Sequence, residues 1–112
     1  MNEFELYTMI FFAVDAYYEN NPSDELGAFL GMMSPFTFKE VDSADSAVYE
    51  SFRKYLNGRK VTIDNSFTYA KDYLKTVDYC DLNPVFSNTT ENEWQDACVD
   101  YLSKPHKGQK VE

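Results

Sequence analysis

The sequence predicts a mainly α-helical protein, a single-domain bundle of about five helices with room for one short two-stranded β pairing. Apolar residues repeat at helical spacing in five stretches, and residues typical of helix starts and ends border those stretches. A chain of 112 residues suffices for one hydrophobic core but not for two. Because 44% of the residues are hydrophobic and 17% are aromatic, the chain has ample surface to bury.

The first predicted helix covers residues 2–19 and ends at the break before Pro22. In the second, Asn21 is the expected N-cap and Pro22 occupies the first helical position, where its missing amide hydrogen is not needed. The side chains of its apolar stripe are Leu26, Phe29, Leu30 and Met33.

The third predicted helix begins at Ser43 and ends at Gly58, since glycine suits the left-handed conformation that follows many helices. The fourth begins at Asp64. The fifth begins with a capping box, in which the side chains of Thr90 and Glu93 each bond the other residue's backbone amide.

Two connections contain residues suited to extended structure, residues 34–41 and residues 60–63. A pairing between them is the one β element that the sequence allows, and a lone pair of strands needs helices packed over it. Residues 78–89 form a predicted packed loop in which Val85 and Phe86 anchor to the core.

The predicted domain spans residues 1–103, and residues 104–112 form a polar tail that we expect to be mobile. We expect His106, the single histidine, to be a solvated surface residue because a tail rarely holds a side chain in place. The sequence therefore does not favour a catalytic triad or a zinc site, both of which commonly use a histidine held in place. The glycines are too widely spaced for a nucleotide-binding loop. We therefore predict no catalytic residue, cofactor or metal.

The apolar first helix is interrupted by acids and is not preceded by a basic segment, so we expect neither a signal peptide nor a membrane span. The simplest location is the cytoplasm, where Cys80 and Cys98 would be reduced. Cys98 falls in the apolar stripe of helix five, and we expect it to be a small core residue.

The net charge of −9 is confined to the first half of the chain. Residues 1–50 contain ten carboxylates and one basic residue, Lys39, whereas acids and bases balance in residues 51–112. Such a charge repels nucleic-acid phosphates and anionic membranes, so we expect no nucleic-acid or membrane partner and a protein partner that is basic or nearly neutral. It also serves solubility, and the sequence leaves both interpretations open.

Helix one carries the candidate binding surface. At about 100° per residue, the polar side chains of Glu5, Thr8, Asp15 and Glu19 form one narrow stripe, and Phe12 falls inside it. Either a loop or the tail covers Phe12, or the protein presents an aromatic side chain framed by carboxylates, as interfaces commonly do. The candidate partner-binding residues are Glu5, Thr8, Phe12, Asp15, Tyr18, Glu19, Asp24, Glu25, Glu40, Asp42 and Asp45.

Other classes of function remain open. Two pairs of carboxylates, Asp42 with Asp45 and Asp78 with Asp81, are candidates for a small carboxylate- or metal-dependent hydrolase. Neither pair has the spacing of an EF-hand, and acids in such places usually cap helices or turns. A further alternative is a structural or regulatory helical module, dimeric through the broad apolar arc of helix one.

In its short length, its acidic first half with Phe12, Asp15 and Glu19 on one helix, and its lack of a reaction centre, the chain resembles small acidic bacterial immunity proteins. This group includes the immunity partners of contact-dependent inhibition toxins. The resemblance is one of overall character, and it assigns no role to a particular residue. It implies a non-catalytic protein that binds and neutralises a basic toxin such as a nuclease.

Overall fold

The computed structural model describes residues 1–109. This part of the chain contains five α-helices, one short 3-10 helix and no strand, which confirms the predicted mainly α-helical bundle. The helices are α1 (Glu3–Asn20), α2 (Asp24–Met33), α3 (Ser46–Leu56), α4 (Ile63–Thr76) and α5 (Glu91–Leu102), and the 3-10 helix spans Asn83–Phe86. Residues 34–41 form turns and bends rather than the strand that the sequence allowed.

None of the helices in residues 1–109 combines the length and the apolar character needed to cross a membrane.

The helix starts are defined by side-chain caps. Capping boxes begin three helices, with the pairs Asn2 and Glu5 at α1, Thr62 and Asn65 at α4, and Thr90 and Glu93 at α5. The last of these is confirmed as predicted, whereas α4 begins at Ile63, one residue earlier than expected, with Thr62 as its cap.

Two helices begin later than predicted because another residue provides the cap. Ser23 caps α2 in place of Asn21. Asp45 caps α3, and the predicted cap, Ser43, is buried with its hydroxyl engaged elsewhere. That hydroxyl accepts a hydrogen bond from the Tyr49 amide at 3.0 Å and donates to the Asp45 carbonyl oxygen. Ser43 therefore fastens the end of the preceding loop to α3.

The central helix of the bundle is α1, which packs against α2, α3, α4 and the 3-10 helix. Every residue from Phe4 to Ile10 is buried. The broad apolar arc of α1 is thus covered by its own chain. A second copy is not needed to explain that arc, so the observation that suggested a homodimer has another cause.

A cluster of aromatic rings joins α1 to α3 and α4. Tyr7 contacts Tyr49 and Phe52, with ring centroids 5.0 and 5.3 Å apart, and Phe52 meets Tyr73 edge-on at 4.9 Å. The Tyr7 hydroxyl donates to the carbonyl oxygen of Met33 at 2.6 Å, which also ties the end of α2 to the cluster. Burial raises the pKa of Tyr7 far above its ordinary value and the pKa of Tyr49 and Tyr73 to about 12.

The loop after α4 is packed, as predicted. Val85 and Phe86 are buried, and Phe86 meets Phe67 and Trp94 edge-on, each at 5.4 Å. These contacts hold the 3-10 helix against α4 and α5.

One buried hydrogen bond and one buried thiol define the inner face of α5. The indole nitrogen of Trp94 donates to the Ser66 hydroxyl oxygen of α4 at 2.8 Å. Cys98 is fully buried, which confirms the predicted core residue, and burial raises its pKa to about 11. Both side chains serve packing.

Residues 104–109 of the predicted tail turn back onto the start of α1 and onto the loop between α2 and α3. The expectation that His106 is solvated is wrong, because its side chain is only 4% exposed. Residues 110–112, which complete the predicted mobile tail, lie outside the described residues.

The buried Tyr7 hydroxyl has a measurable effect on stability. Tyr7→Phe leaves the Met33 carbonyl oxygen without its donor, so we expect it to lower the free energy of unfolding by about 1–3 kcal/mol near neutral pH. Because the fold raises the pKa of this hydroxyl, its neutral form stabilises the folded state fully below about pH 10 and progressively less above it. The variant should therefore lose stability less steeply than the wild type above about pH 10.

Urea denaturation followed by Trp94 fluorescence at several pH values measures both effects. Tyr79→Phe is the matched control, because the Tyr79 side chain is 52% exposed, and it should change stability little. Equal slopes for Tyr7→Phe and the wild type in alkali would contradict the burial of the Tyr7 hydroxyl.

Candidate functional site

A group of aromatic rings lies where α1, α5 and the loop of residues 34–45 meet. Phe12 of α1 stacks on Phe36 of the loop, with ring centroids 5.7 Å apart and planes 28° apart. Phe11 meets Phe36 edge-on at 5.9 Å, and Tyr101 of α5 meets Phe12 edge-on at 5.5 Å. These four residues, Phe11, Phe12, Phe36 and Tyr101, are named the aromatic surface.

Two of these four side chains are exposed, and Phe11 and Tyr101 are half-buried. Phe12 is 38% exposed and Phe36 is 50% exposed. A loop residue, Phe36, thus covers part of the Phe12 ring, and the rest of the ring remains accessible. The same loop also exposes Phe38 and Val41, and exposed apolar side chains that lie together are typical of binding sites.

Two candidate partner-binding residues are wrongly placed by the helical projection. Thr8 is fully buried, and its hydroxyl donates to the Phe4 carbonyl oxygen at 2.9 Å. Glu5 is 7% exposed, and its carboxylate faces the His106 ring. The C-terminal segment and the neighbouring end of α5 cover this side of α1, so neither residue belongs to an exposed face.

Three further candidates lie on the second half of α1. Asp15 is half-buried and Glu19 is exposed, one and two turns beyond Phe12, so the three side chains share a face as predicted. Tyr18 is half-buried against α2, where a Cβ added to Gly27 would lie 3.0 Å from the Tyr18 hydroxyl oxygen. Gly27 thus gives room for Tyr18, which serves the packing of α1 on α2.

The remaining candidates lie at helix starts and in the loop. Asp24 and Glu25 are exposed in the first turn of α2, where their negative charges interact favourably with the positive end of the helix dipole. Glu40 is exposed in the loop. Asp42 accepts from the amide of the next residue at 2.8 Å, and Asp45 caps α3. Asp45 therefore has a structural role of its own.

Most acids of the first half have no cation beside them. Within residues 1–109, Glu3 forms an ion pair with Arg53 and Glu50 forms one with Lys54, while Glu5 lies against the His106 ring, which is charged only when it carries two protons. In the same part of the chain, no ion pair is formed by Asp15, Glu19, Asp24, Glu25, Glu40, Asp42 or Asp45. These carboxylates give α1, α2 and the loop a negative potential that no ion pair within residues 1–109 neutralises.

The carboxylate pairs considered for hydrolysis do not converge. Asp42 lines a cavity of about 290 Å³ that does not include Asp45. Asp78 lines another, of about 300 Å³, that does not include Asp81, whose carboxylate instead accepts from the Asn83 amide at 3.0 Å. Across residues 1–109, no group of three or more His, Cys, Asp or Glu side chains is arranged to hold a metal ion.

Sequence reasoning missed the contact between His106 and α1. The Nε2 atom of His106 lies 2.5 Å from a Glu5 carboxylate oxygen, and its Nδ1 atom lies 2.6 Å from the Lys104 carbonyl oxygen. Because both ring nitrogens face acceptors, the imidazole donates to both only when it carries two protons. The ring also packs against Tyr101, with centroids 4.6 Å apart. The basic composition of the tail was the one signal for a contact with an acidic helix.

Lys107 connects the same segment to the loop of residues 34–45. Its ammonium group donates to the carbonyl oxygens of Pro35 and Phe38, each at 2.5 Å. It also lies 5.5 Å from the centroid of the Phe4 ring. The loop that carries Phe36 is therefore attached to the C-terminal segment through a side chain.

The aromatic surface combines accessible rings with nearby carboxylates that lack cationic neighbours within residues 1–109. Comparisons of the chain with protein-family models, with curated proteins and with solved structures found no match.

Proposed function

We propose that this chain is a non-catalytic binding protein whose aromatic surface docks on a basic protein partner. The observation that carries this proposal is the exposed, stacked pair of Phe12 and Phe36 on the acidic half of the chain. Interface centres are enriched in aromatic side chains that polar groups surround. The uncompensated carboxylates of α1 and the loop would attract a basic partner and speed its association.

The apolar contribution of the aromatic surface to the binding free energy is moderate. Complete burial of a phenylalanine side chain is worth about 1.5–3 kcal/mol, so covering the exposed parts of Phe12 and Phe36 supplies roughly 2 kcal/mol together. A micromolar complex requires about 8 kcal/mol. Polar and charged contacts around the rings must therefore contribute much of the affinity, which fits a partner of opposite charge.

The finer proposal is that the protein is an immunity protein that neutralises a toxin. A nuclease binds phosphates through a basic cleft, and an acidic protein with an aromatic anchor is complementary to such a cleft. The overall character of the chain, short and acidic in its first half, supports this proposal. One-to-one occupation of the cleft would then block the substrate.

Coexpression with the products of the neighbouring genes tests the finer proposal. We expect one product to arrest growth when expressed alone, and the wild-type protein to restore growth where Phe36→Ser does not. If no neighbouring product is toxic, the immunity proposal fails while the broader binding proposal remains open to its own test.

A random peptide library displayed on phage tests the binding proposal with a defined probe. We expect the selected peptides to carry net positive charge and at least one large apolar residue. Phe36→Ser should weaken their binding roughly tenfold or more, since loss of an anchoring aromatic costs at least 1–2 kcal/mol. Val99→Ser is the matched control, because Val99 is an apolar residue of α5 that is 54% exposed and does not belong to the aromatic surface.

Affinities of the synthesised peptides, measured by titration calorimetry, decide the result. Selection of neutral or acidic peptides would contradict the proposed partner. So would an equal loss of affinity in the Val99→Ser and Phe36→Ser variants, because the aromatic surface would then have no special role.

Charge reversal on α1 tests whether the carboxylates guide association. The double variant Asp15→Lys and Glu19→Lys should slow association with a selected basic peptide by about tenfold at low salt. The difference should shrink at about 0.5 M salt, where charges are screened beyond a few ångströms. Stopped-flow fluorescence measures these rates.

The control double variant, Asp72→Lys and Asp96→Lys, changes the net charge equally from exposed positions on α4 and α5. It should slow association much less. Equal slowing by the two double variants would show that total charge, rather than the face of α1, attracts the peptide.

A further inference from the structure

We propose that residues 104–109 form a clasp that holds the loop of residues 34–45 and thereby positions the aromatic surface. The part of this inference that concerns binding rests on the proposed function. The part that concerns the loop rests on contacts within the chain alone. Lys107 is the positioning residue, and the neighbouring residues fasten the clasp to α1.

Within residues 1–109, the backbone of residues 36–41 makes one hydrogen bond besides that to Lys107, from the Phe36 amide to the Ser34 hydroxyl oxygen at 3.3 Å. The base of the loop is closed by two backbone hydrogen bonds, from the Ala44 amide to the Ser34 carbonyl oxygen and from the Asp45 amide to the Met32 carbonyl oxygen, each 2.9 Å long. Within residues 1–109, residues 35–43 form no backbone–backbone hydrogen bond. Residues 36–41, which include the exposed apolar side chains of the loop, therefore lack the hydrogen-bond ladder that holds a helix or sheet.

Lys107 provides the missing support. Its ammonium group bonds two loop carbonyl oxygens, those of Pro35 and Phe38, which lie on either side of Phe36. Hydrogen bonds from a charged donor are about twice as strong as those between neutral groups. One side chain thus fixes the backbone before and after the ring that stacks on Phe12.

The clasp is itself held on both sides of Lys107. On one side, the His106 side chain is packed against Glu5 and Tyr101. On the other, Gly108 has φ +81°, and a Cβ at this position would lie 2.4 Å from a ring carbon of Phe4. The Asn2 side-chain amide donates to the Gly108 carbonyl oxygen at 3.0 Å. These contacts fix the Lys107 backbone, so its ammonium group reaches the loop from a defined position.

A loop that is ordered before binding loses less conformational entropy when the partner arrives. The clasp therefore raises affinity without itself contacting the partner. The opposite possibility is that the C-terminal segment competes with the basic partner for the loop. Removal of Lys107 would then raise affinity, so the two roles predict opposite changes.

The test compares Lys107→Met with Lys104→Met in the full chain. The first removes the ammonium group from the loop carbonyl oxygens, and the second removes an equal charge from an exposed ion pair with Asp100. Backbone order parameters from ¹⁵N relaxation report the loop in the free protein. We expect residues 36–41 to have values near 0.85 in the wild type and in Lys104→Met, and below about 0.6 in Lys107→Met.

Affinity for a selected basic peptide is the second measurement. Lys107→Met should weaken binding roughly tenfold, and Lys104→Met should weaken it much less. Gly108→Ala should act in the same direction as Lys107→Met, because the added methyl group displaces the clasp from Phe4 while the ammonium group is retained. Circular dichroism should show unchanged helix content in all three variants.

Each outcome bears on the inference separately from the proposed function. Unchanged order parameters in Lys107→Met would overturn the clasp, whatever the peptide affinities. A mobile loop with equal or higher peptide affinity would overturn its positioning role. If the wild type selects no basic peptide, the proposed function fails and the positioning role fails with it, while the order parameters still decide whether Lys107 holds the loop.

Discussion

The first two turns of α1 are buried on every side, and the rest of the structure is arranged to cover them. Complete burial of a helix segment is simple for apolar side chains, but this segment also contains Glu5 and Thr8. A buried hydroxyl or carboxylate destabilises the fold unless it is hydrogen-bonded. Thr8 satisfies this requirement within its own helix, through the Phe4 carbonyl oxygen. One oxygen of the Glu5 carboxylate accepts from the Asn2 amide in the capping box at 2.7 Å, whereas the other requires a partner from elsewhere, and His106 provides it. The C-terminal segment is thus drawn onto α1 by a need that originates in the first helix.

The candidate binding surface lies where this burial ends. Beyond Ile10 the side of α1 that carries Phe12, Asp15 and Glu19 is no longer fully covered, and Phe36 shields only part of the Phe12 ring. The same division is seen in the charges. Glu5, in the covered part, lies against the His106 ring, whereas Asp15 and Glu19, in the open part, form no ion pair within residues 1–109.

The features that were predicted correctly depend on signals between near neighbours in the sequence. Periodicity indicated five helices, the Thr90 and Glu93 pair marked the start of α5, and the apolar stripe of that helix placed Cys98 in the core. The errors arose where distant contacts decide. Ser43 is a suitable N-cap by sequence, but in the fold its hydroxyl accepts a hydrogen bond from the distant Tyr49 amide instead. A helical projection shows which residues share a face, but not that α5 and the C-terminal segment cover Thr8 and Glu5. The Glu5 and His106 pair joins residues 101 positions apart, a contact that no local pattern encodes.

Solubility and binding, the two interpretations of the acidic first half, need not compete. An exposed stack of aromatic rings promotes association with any apolar surface, including a second copy of the same chain. Carboxylates around the rings oppose contact between two copies, because like charges would be brought together, and they favour a partner of opposite charge. On the proposed function, the negative charge would oppose self-association for the same physical reason that it would select a basic partner. On this view, Phe12 and Phe36 provide contact area, and the carboxylates of α1 and the loop that form no ion pair within residues 1–109 determine which partner surface reaches the rings.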